Sequence, residues 1–180
     1  LDELQTAFNE SLEERFAAVG RALVVPEGVD VARGADQTAL QALAARHRGS
    51  YPVQMAVGQA LAAAGAREAA LAVFERAAAL VPIAVGPESP RARIADIAER
   101  SGNFARALQE LRSLVADDHT NVDAARKLAP LARRLGDKDA QLLAYERIVT
   151  IDPFDAAAHT SLGRLAIERR DLSVAMREFR

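Results

Sequence analysis

The sequence contains no cysteine and no tryptophan, and only 4% of its residues are aromatic. Without cysteine there can be no disulfide framework and no cysteine-ligated zinc ribbon, although this leaves the compartment open. Half of the residues are hydrophobic, and alanine dominates among them. This composition suits helices that pack closely with little bulk at each contact. We therefore expect an all-α protein.

Two classes of partner lack their usual signals. The chain has 23 Lys and Arg against 25 Asp and Glu, a net charge of -2, so it has no overall basic field that would attract nucleic acid. No apolar run approaches the roughly 20 residues that a membrane span needs, and no signal-peptide pattern opens the chain. We expect a soluble segment that binds neither nucleic acid nor membrane.

Motifs for catalysis and metal binding are also missing. The sequence has no G-x-S-x-G, H-E-x-x-H, G-x-x-x-x-G-K or G-x-G-x-x-G segment. Its three histidines, His47, His119 and His159, lie far apart along the chain, whereas a zinc site needs three or four converging ligands. We expect no catalytic residue, no metal site, no cofactor and no enzymatic activity within this segment.

A repeat begins at Tyr51 and occurs four times, with spacings of 37, 34 and 34 residues. Each unit has an aliphatic residue and a small residue in a first helix, then a turn, then a large residue in a second helix. The first-helix pairs are Val57–Gly58, Ile94–Ala95, Leu128–Ala129 and Leu162–Gly163; the turns lie at Gly65, Gly102, Gly136 and Arg170; the large residues are Phe74, Leu111, Tyr145 and Phe179.

This pattern resembles the tetratricopeptide repeat (TPR) over residues 51–180. The resemblance implies a right-handed α-solenoid of stacked antiparallel helix pairs, with first helices beginning near Tyr51, Ser89, Val122 and Ala156. The tryptophan that is usual in the first helix is replaced by Gln54, Arg91, Ala125 and His159. Pro130 falls inside a first helix, where we expect it to face outward and bend the helix.

Residues 1–50 are expected to form a separate leading segment. Leu4, Phe8 and Phe16 recur at helical spacing, with Leu1 on the same face, which predicts a long amphipathic helix over residues 1–24. After a loop through Gly34, a second helix capped by Asp36 should run to about residue 47. This segment would be an irregular leading repeat or the end of an upstream domain. Its first 20 residues resemble the closing helix of bacterial zinc-peptidase-like domains.

In the TPR family the first helices line a concave groove, which implies a protein-interaction scaffold that binds a peptide or a partner helix there. The predicted groove residues are Gln59, Asp96, Glu99, Arg100, Arg126, Arg133, Arg134, Thr160 and Arg164, with Met55, Ala62 and Ile167 at neighbouring outward positions. The lysine and asparagine clamp of some relatives is absent, since Met55, Gln59 and Ala92 stand at its positions.

Four arginines among these residues form a predicted basic patch for an acidic partner: Arg126, Arg133, Arg134 and Arg164. Guanidinium groups bind carboxylates in bidentate geometry. The alternative is a solvated helix face on which the arginines pair with Asp123, Asp137 and Glu168.

Two other functions remain open on the sequence alone. The segment could be an appendage of a larger enzyme, with a peptidase domain upstream of Leu1. It could also be a structural module that self-associates through its C-terminal end, where Leu172, Ala175, Met176 and Phe179 form an apolar face. Because the chain starts without methionine and stops at Arg180 inside a helical pattern, we expect a piece of a longer protein whose apolar end is covered by further repeats or by another copy.

Overall fold

The computed structural model describes residues 2–31 and 35–179, except for the side chains of Asp2 and Glu3. This part of the chain is helical and contains no strand. The predictions for Leu1, Gly34 and Arg180 lie outside it. The helices are α1 (Asp2–Ala22), α2 (Gln37–Arg46), α3 (Tyr51–Ala63), α4 (Arg67–Leu80), α5 (Pro90–Arg100), α6 (Phe104–Asp117), α7 (Val122–Leu135), α8 (Lys138–Ile151), α9 (Ala156–Glu168) and α10 (Leu172–Glu178).

The chain divides into two compact units, residues 1–84 and residues 85–180. In the first unit α3 packs against both α2 and α4, and α1 touches α4. In the second unit α5 pairs with α6, α7 with α8 and α9 with α10, while α7 also packs on α6 and α9 on α8. The predicted starts of the first helices are confirmed within a residue. The boundary expected after residue 50 stays a prediction.

One backbone arrangement joins the two helices of every repeat. A residue one or two positions after each first helix is left-handed, with φ of 79° at Gly65, 75° at Gly102, 71° at Gly136 and 62° at Arg170. The N–H of the next residue then donates to a carbonyl five residues earlier, as Asp137 does to Ala132 at 2.9 Å. This bond satisfies a carbonyl that the helix end would otherwise leave unpaired. The predicted turns are thus confirmed, including the one in which arginine replaces glycine.

Close contact inside a repeat explains the paired small and large residues. A Cβ atom built on Gly58 would lie 2.7 Å from Cε1 of Phe74, and one on Gly163 would lie 2.6 Å from Cζ of Phe179. Such distances leave no room for a methyl group. Phe74 is only 1% exposed, so it fills the space between α3 and α4 that glycine leaves open.

The leading segment forms the two predicted helices, and Asp36 caps α2 by accepting a hydrogen bond from the N–H of Ala39 at 2.7 Å. The apolar face of α1 is exposed, with Leu4 at 75% and Phe8 at 58%. Pro130 is exposed as predicted, and α7 continues through it. The predicted bend at that position stays a prediction.

Candidate interaction surface on the first helices

The outward faces of α5, α7 and α9, called here the groove face, carry most of the predicted site residues. Glu99, Arg100, Arg126, Arg133, Arg134 and Arg164 are exposed, while Asp96 and Thr160 are half-buried. Ion pairs connect these helices: Lys127 Nζ on α7 lies 2.8 Å from Asp96 Oδ1 on α5, and Arg126 on α7 reaches the start of α9. These contacts join α7 to α5 and to the start of α9, and the prediction that the site residues share one binding face stays a prediction.

Arg126 is occupied by carboxylates of its own chain. Its Nη2 atom lies 3.4 Å from Asp152 Oδ2 and 3.5 Å from Asp155 Oδ2. Asp155 is also the N-cap of α9 and accepts a hydrogen bond from the N–H of Ala158. An exposed pair of this kind contributes only about 0–1 kcal/mol to stability. Its main effect is to neutralise one arginine of the predicted patch.

Arg134 is engaged in a different way. Its guanidinium carbon lies 3.7 Å from the centroid of the Phe104 ring, at the start of α6. A cation over an aromatic ring at an exposed site contributes roughly 0.5–1 kcal/mol. Arg134 thus takes part in packing between α7 and α6, which the sequence pattern did not indicate.

The carboxylate partners proposed for the solvated-face alternative were wrong. Asp137 lies 3.5 Å from Arg112 on α6, and Glu168 lies 2.7 Å from Lys138 on α8. No arginine of the predicted patch pairs with these two residues or with Asp123 within the described part of the chain. For Asp137 and Glu168 the reason is that a basic residue of a second helix, Arg112 or Lys138, lies nearer to the carboxylate.

Three arginines of the groove face remain unpaired. The side chains of Arg100 on α5, Arg133 on α7 and Arg164 on α9 form no ion pair or hydrogen bond with any residue that the structure describes. Each lies on the first helix of a successive repeat. Exposed guanidinium groups without an internal partner are free to bind carboxylates of another molecule.

A small open cleft lies between α5 and α7. Its floor is formed by Leu111 and Leu114 of α6, both buried. Its rim contains Pro87, Ala92, Asp96, Asn121, Asp123, Ala124 and Lys127. This cleft was not predicted, because only first-helix residues were assigned to the groove and its floor belongs to the second helix α6. The 31-residue separation of Asp96 and Lys127, close to one repeat, could have indicated that they face each other on neighbouring first helices.

The first unit offers less exposed surface on its first helix. Met55, expected to point outward, is 9% exposed, so that expectation was wrong. Because α2 and α4 both pack on α3, the exposed residues of α3 are Gln59 and Ala63. Gln59 belongs to this unit and is not part of the groove face.

Gln54 has a structural role that the sequence did not reveal. Its side chain is fully buried, and its amide donates to the carbonyls of Ala44 at 2.8 Å and His47 at 2.9 Å, at the end of α2. Its Oε1 atom accepts a hydrogen bond from Arg76 Nε of α4 at 3.0 Å. Gln54 therefore ties three helices together and satisfies two carbonyls at a helix end.

Neither metal binding nor membrane insertion has support in residues 2–31 and 35–179. No group of three or more His, Asp or Glu side chains there could hold a metal ion. None of the helices in these ranges has the length and apolar character of a membrane span.

The comparisons with known proteins identify the fold. No protein-family model matches the sequence, and no curated protein matches it. Among solved structures, MamA is 17% identical over 79% of this chain and 81% of its own, with a TM-score of 0.53. MamA 41-end from Desulfovibrio magneticus RS-1 is 21% identical over 96% and 90%, with a TM-score of 0.51. YrrB, a TPR protein with an unusual peptide-binding site, is 16% identical over 78% and 71%, with a TM-score of 0.53.

At these identities the likeness concerns the fold alone. It agrees with the four helix–turn–helix units, their common left-handed turn and the close contacts of Gly58 and Gly163. The chain is all-helical and has the fold of the tetratricopeptide-repeat proteins.

Proposed function

We propose that this chain is a protein-interaction scaffold whose groove face binds an extended acidic peptide. The observation that carries the proposal is the set of unpaired arginines on three successive first helices, Arg100, Arg133 and Arg164. Stacked helix pairs present extended surfaces of this type. The peptide-binding site of YrrB supports the proposal, because it shows that a chain with a similar fold can hold a peptide.

The order of the arginines along the stack suggests the form of the peptide. Arg100, Arg133 and Arg164 lie on α5, α7 and α9 in turn, and side chains of α7 reach both Asp96 of α5 and Asp155 before α9. An extended polyproline II peptide repeats every three residues and advances roughly 9 Å in that distance. We therefore choose a peptide with an acidic residue at every third position, whose carboxylates can face the three arginines in turn.

The cleft between α5 and α7 provides a second recognition element. Its lining at Leu111 and Leu114 is apolar, and an aliphatic side chain that contacts it would gain part of the roughly 1.5–3 kcal/mol of full burial, before the cost of ordering the peptide. Asp96 is neutralised by Lys127 at the rim, so it repels an acidic peptide less than a free carboxylate would. The preferred ligand combines acidic residues with one aliphatic anchor.

A fluorescence anisotropy titration tests this function. The probe is a capped, labelled peptide with aspartate at every third position, and the matched peptide carries asparagine there. We expect the aspartate peptide to bind more tightly, and its affinity to fall between about 20 and about 200 mM salt because mobile ions screen exposed charges.

Variants locate the binding to the groove face. The double variant Arg133→Glu with Arg164→Glu should abolish binding. The matched control Arg48→Glu with Arg67→Glu makes the same charge change at exposed positions of the first unit and should lose far less affinity. Equal affinities of the two double variants, with circular dichroism showing both folded, would contradict the proposal.

A second candidate function is that of a module attached to a larger enzyme, as the likeness of residues 1–20 implied. The exposed apolar face of α1, with Leu4, Phe8 and Phe16, favours it, since large exposed apolar patches mark contact sites. The reading frame upstream of Leu1 tests it. A peptidase-like domain with an H-E-x-x-H motif would support this function, and its absence from the full-length protein would exclude it.

Self-association through the C-terminal end has a separate observation in its favour. Leu172, Met176 and Phe179 are more than half exposed, whereas Ala175 is buried. We expect sedimentation equilibrium to show a mass that rises with concentration. A single monomeric mass at high concentration would remove this candidate.

A further inference from the structure

His159, on α9, lies between two hydrogen-bond acceptors. Its Nδ1 atom is 2.8 Å from Glu178 Oε2 on α10, and its Nε2 atom is 3.1 Å from the carbonyl oxygen of Pro153 before α9. A neutral imidazole carries one N–H group, so it can donate to only one of them. Only the protonated ring can satisfy both acceptors at once, and the geometry therefore favours the imidazolium.

The charged groups around this contact act in the same direction. The Glu178 side chain is 5% exposed, and its other oxygen accepts from Arg177 Nε at 2.8 Å. Asp155, at the start of α9, also attracts a positive charge at His159, and Glu146 of α8 lines the adjoining cleft. The hydrogen bond to Glu178, and then the one to Pro153, raise the pKa of His159 above its ordinary 6.5, although burial opposes them.

The helix on the other side of this contact is short. α10 has seven residues, too few for stability as an isolated helix. It packs against α9, where Ala175 is its buried residue, and Phe179, which follows it, lies against Gly163. The His159–Glu178 contact adds a polar link between the two helices beside this apolar packing.

We propose that the His159–Glu178 pair is a pH-sensitive latch, which holds α10 against α9 when His159 is protonated and loosens it when His159 is neutral. In the neutral ring one nitrogen keeps its proton, and the lone pair of the other nitrogen then faces an acceptor. The attraction between the imidazolium and the Glu178 carboxylate is also lost. Glu178 then keeps its charged bond to Arg177 and at most an uncharged hydrogen bond from His159.

The direction of the pH dependence follows from linkage. Because the folded state holds the proton more tightly than the unfolded state, the latch contributes its full stability below about pH 6.5. That contribution is lost as the pH rises through the raised pKa of His159 in the folded protein. Loosening would move Phe179 away from Gly163 and widen the cleft lined by Phe154 and Thr160, and Thr160 is one of the predicted groove residues.

Amide hydrogen exchange of the full chain tests the latch. Protection factors, corrected for intrinsic exchange rates, are compared for α10 at about pH 5.5 and about pH 8. We expect those of α10 to fall roughly fivefold at the higher pH, as a charge-assisted hydrogen bond becomes an ordinary one, whereas those of α7 should change little. Equal protection of α10 at both pH values would overturn the proposal.

Two variants make the result specific. His159→Gln should show the low protection of α10 at both pH values. The control His119→Gln replaces another exposed histidine of the same unit, beside Arg147, and should keep the pH dependence. If His159→Gln kept the pH dependence, other groups would be its cause and the proposal would be overturned. An NMR titration of the His159 ring in the unmodified chain with a midpoint below 6.5 would also overturn it.

Discussion

The packing of Phe74 on Gly58 can be tested by rebuilding it in the form that another repeat uses. At the equivalent positions the second repeat has Ala95 and Leu111, both buried. Compared with Gly58 and Phe74, the second repeat thus has a larger residue on its first helix and a smaller one on its second helix. We expect Gly58→Ala to destabilise the protein alone and to be tolerated much better together with Phe74→Leu.

The structure gives the size of each effect. A Cβ atom on Gly58 would lie within 2.9 Å of three ring carbons of Phe74, and the buried ring has little room to move. Overpacking of this type costs about 1–3 kcal/mol, offset by up to about 1 kcal/mol because alanine favours a helix over glycine. Phe74→Leu alone leaves a gap and should cost roughly 1–2 kcal/mol, less than the 3–5 kcal/mol typical of Phe→Ala.

The assay is a double-mutant cycle in urea. The two changes should couple favourably by about 0.5–3 kcal/mol, because each removes the defect caused by the other. The reverse pair, Ala95→Gly with Leu111→Phe, is the matched cycle in the second repeat and should couple with the same sign. Additive losses in the Gly58 and Phe74 cycle would refute the argument that these two residues set the spacing of α3 and α4.

Other substitutions test the register and the turns. Phe74→Ala should lower the free energy of unfolding by about 3–5 kcal/mol because the ring is buried. The control Phe154→Ala, at a residue 94% exposed, should change it by no more than about 0.5 kcal/mol. A loss below about 1 kcal/mol at Phe74 would mean that the register is wrong. Arg170→Gly should raise the free energy of unfolding by about 0.5–1 kcal/mol, since Arg170 has a left-handed φ of 62° that only glycine adopts without strain. Gly136→Arg, at the same turn position, should lower it by about 1 kcal/mol, and a stabilising effect of that variant would contradict this account of the turn.

The features that were predicted from sequence are those that depend on local chain geometry. The turns at Gly65, Gly102 and Gly136 follow from the need for a left-handed residue after a helix, and the starts of the first helices follow from the repeat period. These signals involve residues close together in the sequence. They predicted the starts of the first helices, the turns, and the exposure of Arg133 and Arg164.

The features that were not predicted depend on which side chains meet across neighbouring helices. Arg126 and Arg134 were assigned to a free basic patch, but Arg126 pairs with two aspartates and Arg134 lies over Phe104. Gln54 was noted only as a replacement for tryptophan, and His159 only as that and as a histidine too isolated to bind zinc. Their roles depend on acceptors brought near by the fold, such as the carbonyl of Ala44 and the carboxylate of Glu178, which a repeat pattern does not specify.

The most direct test of the proposed interaction surface is NMR mapping of the bound acidic peptide. Amide shifts are followed while the peptide with aspartate at every third position is added to the isotope-labelled chain. We expect the largest amide shift changes on the exposed faces of α5, α7 and α9, around Arg100, Arg133 and Arg164. Changes confined to α6 and α8, or a saturated complex that leaves the groove face unperturbed, would contradict it.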